Sequence, residues 1–160
     1  MSIRLVFSID NPISPDDLLT LVLQEPEMKL PLASPRQRRE GSNGAIVESR
    51  VVLPTFDFWI GVSVEDEMWR EGTYETMQIA PRVGFTINYG VEVSDDEFLG
   101  LFAYVLRSLE GDALLTFDGA SPILRRKDGV ILINAGGGYY NKEPFRSMLP
   151  PPVQEGKIPW

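Results

Sequence analysis

The stretch GDALLTFDGASPILRRKDGVILIN, Gly111 to Asn134, sets three cations side by side in an acidic chain: Arg125, Arg126 and Lys127. Its punctuation reads as strands. ALLTF is a short apolar strand, DGAS a turn, PILRRK a second strand, DG a two-residue hairpin turn and VILIN the return strand. That turn predicts a register in which Lys127 opposes Val130, Arg126 opposes Ile131, Arg125 opposes Leu132 and Leu124 opposes Ile133. Strand alternation then places Arg125 and Lys127 on one face and Arg126 on the other, beside Leu124, Ile131 and Ile133. Cations divided in this way do not converge on a phosphate or a reacting group. They read as the charged margin of a sheet, with Arg125 and Lys127 exposed.

Upstream of this hairpin lies a helix. SDDE, Ser94 to Glu97, is a capping box, and Phe98, Leu101, Phe102, Val105 and Leu109 recur at helical spacing. Gly111 follows where a helix ends in a residue of positive φ. A helix over 94–110 is expected. At the other end of the chain, Ile3, Leu5, Phe7 and Ile9 alternate as a half-buried strand. Ser14, Pro15, Asp16 and Asp17 then supply a cap, a first-turn proline and favourable dipole charges for a helix over 14–24.

Residues 25–44 contain three prolines and RQRREGSNG, which has no apolar side chain, and read as an exposed loop. Strands are predicted in AIVESRVVL, in the alternation from Phe56 to Glu65, and in IAPRVGFTINY. Pro150, Pro151 and Pro152 open an extended tail that Trp160 is expected to pin. The Gly136–Gly138 run lacks the lysine and the strand–loop–helix setting of a phosphate loop, so it reads as a turn. The fold class expected is α+β in a single domain, 1–160. It has an antiparallel-rich sheet of six or seven strands, two main helices on one face, and a three-stranded meander after the second helix.

Composition narrows the function. The chain has no histidine and no cysteine, which removes the usual general base, nucleophilic thiol and zinc ligands. No cofactor or metal is expected. Net charge is −8, and it is uneven: residues 57–118 hold thirteen acidic side chains against Arg70, Arg82 and Arg107, giving −10, while the remainder sums to +2. An acidic middle repels nucleic acid and attracts basic surfaces. No apolar run suits a bilayer, and MSIRLVFSID lacks the features of a secretion signal, so a cytoplasmic protein without a membrane partner is expected.

With Gly111, Asp112, Gly119, Leu124, Arg125, Arg126, Gly129 and Asn134 in place, the C-terminal half resembles the Sit immunity proteins. These are the swarming-inhibition toxin immunity proteins of myxobacteria and related bacteria. The resemblance implies a cytoplasmic protein that binds and neutralises a toxin delivered by a neighbouring cell. It covers the last half of the chain and hardly touches residues 25–75.

The candidate contact surface is EDEMWREGTYE. Glu65, Asp66, Glu67, Glu71 and Glu75 suit the lysines and arginines of a basic toxin, and Trp69 and Tyr74 would supply aromatic anchors. The blander reading is a solvated loop with Trp69 turned into the core. The leading function is non-catalytic binding of a cognate, basic protein toxin. The alternatives are a small carboxylate-dependent enzyme, for which no motif singles out a pair, and a regulatory or structural module with another partner.

Overall fold

The computed structural model describes residues 2–24, 36–41, 46–52, 59–64, 83–90, 96–118, 121–135 and 143–158. Within them lie, in chain order, the strands β1 (Ser2–Ile9), β2 (Arg36–Glu40), β3 (Ile46–Val52), β4 (Trp59–Val64), β5 (Val83–Gly90), β6 (Ala113–Phe117), β7 (Ser121–Lys127), β8 (Val130–Asn134) and β9 (Val153–Gly156). Three helices accompany them: α1 (Pro15–Leu23), α2 (Asp96–Ser108) and the single turn α3 (Phe145–Met148). The fold is α+β.

The strands form one sheet in the order β2-β3-β4-β5-β1-β6-β7-β8-β9. Its N-terminal strand lies at the centre: β1 pairs antiparallel with β5, Phe7 opposite Phe85, and with β6, Phe7 opposite Leu115. Among the described strands only β8 and β9 run parallel. Nine strands exceed the six or seven expected, and both additions correct the sequence reading. Arg36–Glu40, expected inside an exposed loop, is a strand paired with β3. Val153–Gly156, expected as tail, pairs with β8. Neither segment carries the apolar alternation that marks a strand whose face is buried, because both lie at sheet margins.

Odd-numbered residues of β1 supply the core. Leu5, Phe7 and Ile9 join Phe85 and Ile87 of β5, Leu115 of β6, Leu18, Leu19 and Val22 of α1, and Leu101, Phe102 and Val105 of α2 in one buried cluster. The ring of Phe102 stacks on Phe85 at 5.3 Å between centroids and lies 6.0 Å from Phe7, which seats α2 over β1 and β5. Ser14 caps α1 by accepting the Asp17 amide at 3.1 Å. The capping-box serine of α2, Ser94, lies outside the described residues.

A smaller apolar cluster joins Leu114, Leu132 and Ile158. Leu114 opposes Arg125 and Arg125 opposes Leu132, so this row faces away from Leu115 and Leu124. The C-terminal segment therefore helps cover the sheet's second face.

Candidate functional site

A cleft of about 570 Å³ lies at the C-terminal end of α2, between the β7–β8 turn and Pro150–Pro151, with Arg107, Glu110, Asp112 and Asp128 on its walls. Its construction follows from a general difficulty. The last carbonyls of a helix have no partner within the helix. Arg126 supplies one: its Nη1 donates to the Leu106 carbonyl at 2.6 Å, Nη2 to Leu109 at 2.7 Å and Nε to Gly111 at 2.7 Å. The side chain is only 7% exposed. Burial pushes its pKa below the ordinary value, opposed by the carboxylates of Asp112 and Glu110. A guanidinium stays charged regardless. Its planar fork reaches three carbonyls at once, and its charge meets the negative end of the helix dipole.

Arg126 is thus no margin charge. The register is the one the turn dictates, with Arg126 opposite Ile131 and Lys127 opposite Val130, but the reading of all three cations as margin decoration is corrected. The signal lay in the sequence. Alternation placed a cation on the apolar face, and α2 ends at Ser108, five positions before β6 begins at Ala113. Arg125 departs from expectation too: its Nε is buried with no hydrogen-bond partner among the described residues.

The other residues of the Gly-Asp…Leu-Arg-Arg…Gly…Asn pattern also have structural duties. Gly111 has φ +120°, and a Cβ there would lie 2.1 Å from the Asp10 carbonyl oxygen. Asp112 accepts the Asp128 amide at 2.9 Å and pairs with Lys127 at 3.2 Å, tying the start of β6 to the hairpin turn. Asp128 and Gly129 have φ of 51° and 81°, the positive pair that a type I′ turn requires. Asn134 donates to the Pro122 carbonyl at 2.9 Å. Arg107 closes the cleft's outer wall by donating to the Met148 carbonyl. Chemically, the cleft's strongest donor and one of its carboxylates are already engaged by the fold. This is a joint between helix and hairpin.

The expected contact residues, Glu65, Asp66, Glu67, Trp69, Glu71, Tyr74 and Glu75, lie outside the described residues. What is described is the frame that holds them: β4 and β5 are adjacent and antiparallel, with Val64 opposite Val83. The chain therefore leaves and re-enters the sheet at one place. Among the described residues no cluster of three or more acidic side chains suits a metal ion, and no helix is long and apolar enough to cross a membrane.

Comparison of the chain with protein-family models, curated proteins and solved structures finds no match. The resemblance to the Sit immunity proteins rests on the quoted residues alone.

Proposed function

We propose that this chain is a non-catalytic immunity protein. It binds a basic toxin through the acidic stretch 65–75, covering the surface that the toxin uses on its own target. The observation that carries the reading is the concentration of charge, −10 between residues 57 and 118 in a chain of −8. Such a field steers a basic partner into contact and fixes its orientation. The mechanism needs complementarity and no reacting group, so a chain without histidine or cysteine is fully equipped for it.

The same reading takes α1 and α2 as packed on one face of the sheet, which their shared core with Phe7 and Phe85 supports. The carboxylate-enzyme alternative draws less support: Asp112, the best-placed carboxylate of the described cleft, has both oxygens committed to Asp128 and Lys127.

The test is protection. Sensitive bacterial cells expressing the chain should survive a cognate basic toxin, and cells expressing Glu67→Lys with Glu71→Lys should not. Equal survival with and without the chain would refute an immunity role.

A further inference from the structure

The fold uses the inner charges of the cleft at the end of α2. Arg126 donates to three carbonyls, Arg107 donates to Met148, and Asp112 holds Lys127 and the Asp128 amide. The carboxylates of Glu110 and Asp128 also line the cleft, one just past the helix and one in the β7–β8 turn, and both residues are exposed. Leu109, Pro150 and Pro151 give the same cleft apolar surface. We propose that it is a binding site for an organic cation on an alkyl stem, the chemistry of an arginine or lysine side chain. The stem lies against Leu109 and the two prolines, and the charged head meets Glu110 and Asp128. None of these residues belongs to the stretch 65–75, so the site stands whether or not the immunity reading holds.

Charge and size select the occupant. Three carboxylates line the cleft, those of Glu110, Asp112 and Asp128, against the guanidinium groups of Arg107 and Arg126. Both guanidinium groups already face backbone carbonyls, so the exposed carboxylates set the sign that an entering group meets. The negative end of the thirteen-residue α2 has the same sign. A cation is attracted and an anion repelled. The volume of about 570 Å³ is that of a site for a small organic molecule and exceeds what a bare ion needs. Among the described residues no group of three or more acidic side chains suits a metal ion. An alkyl stem gains from apolar walls, as the stems of lysine and arginine do along protein surfaces, whereas a hydrated ion gains nothing from them.

The hydrogen bonds that shape the cleft also join its walls. Arg126 ties β7 to the end of α2 through the Leu106 and Leu109 carbonyls, and Asp112 ties the start of β6 to the turn that carries Asp128. Arg107 reaches the Met148 carbonyl, two residues before Pro150, and the Ile131 amide donates to Pro152 at 3.0 Å. Helix end, turn and prolines are thus linked to one another. Walls joined before a ligand arrives need less rearrangement when it binds.

The probes are guanidinium, ethylguanidinium and n-butylguanidinium chlorides, titrated at low millimolar concentration into the full chain. Binding is followed by the amide shifts of Glu110, Gly111, Asp128 and Gly129 in NMR spectra, with sodium chloride as the ionic control. Butylguanidinium should shift these amides saturably, and affinity should rise roughly threefold for each methylene that enters. Sodium butyrate should not bind. Glu110→Gln with Asp128→Asn should weaken butylguanidinium roughly tenfold while leaving the thermal melt in place. Asparagine tolerates the positive φ of Asp128 as aspartate does, and Asp112 is kept because it anchors the turn. Acetyl-Gly-Arg-Gly-amide binding more tightly than butylguanidinium would identify a partner's side chain as the occupant, and the reverse order a free small cation. An affinity that ignores stem length in the wild type would overturn the proposal. So would the absence of any saturable shift, unchanged binding by the double variant, or magnesium chloride producing the same shifts at the same concentration.

Discussion

Arg125 and Arg126 are chemically identical neighbours with opposite energetic roles. Arg126 satisfies the carbonyls of Leu106, Leu109 and Gly111 from a buried position. Arg126→Met should therefore leave those carbonyls without a donor and cost about 3 kcal/mol or more, read from the urea midpoint. A loss within about 0.5 kcal/mol, the range of ordinary surface changes, would contradict the capping role. Arg125 has a buried Nε without a partner among the described residues. Arg125→Met should be neutral or raise stability by about 1 kcal/mol, because it removes an unsatisfied donor. The glycines divide in the same manner. A Cβ at Gly129 meets nothing within 4 Å, so Gly129→Val should cost only the strain of its positive φ, roughly 1–2 kcal/mol. Gly111→Ala adds a collision with the Asp10 carbonyl and should cost more. Alternation alone separates the faces of Arg125 and Arg126. It does not tell which of them reaches a helix end, since that depends on where α2 packs.

Elements were legible in proportion to the burial that marks them. β1, α1 and the β7–β8 hairpin each carry a period or a cap that can be read locally, and each lies where that pattern places it. β2 and β9 carry no such mark. β2 has no apolar residue, and β9 depends on a parallel partner twenty-two residues away in the chain, Val153 opposite Ile131. What holds the C-terminal segment is backbone pairing, with the Ile131 amide donating to Pro152 at 3.0 Å and Ala135 to Gly156 at 2.9 Å. Ile158 adds its contact with Leu114. Ile158→Ala should cost about 2 kcal/mol and speed amide exchange at Ile131 and Ala135 before it affects β1. If those amides exchange no faster in the variant, the segment is held by something other than this contact. At α1, Ser14→Ala removes the cap on Asp17 and should cost about 1 kcal/mol.

At the scale of the whole molecule, residues that repeat a recognisable pattern and residues proposed to meet a toxin belong to different stretches of the sequence. Gly111, Asp112, Arg126, Gly129 and Asn134 build the joint between α2 and the hairpin. A pattern of this kind identifies a scaffold. The proposed toxin surface has no comparable signature, because carboxylates that complement a partner are constrained by the partner's charges and not by this chain's own packing. Its only mark in the sequence is charge density, which locates a region and leaves individual roles open. The central claim is accordingly electrostatic, and surface plasmon resonance tests it most directly. An immobilised cognate toxin would be titrated with wild type and with the Glu67→Lys, Glu71→Lys double variant, at low and at physiological salt. The account predicts that charge reversal slows association and weakens binding at least roughly tenfold, that added salt acts in the same direction, and that the melting temperature stays put, since exposed carboxylates contribute about 0–1 kcal/mol per pair to folding. A wild-type affinity that ignores both salt and charge reversal would contradict it.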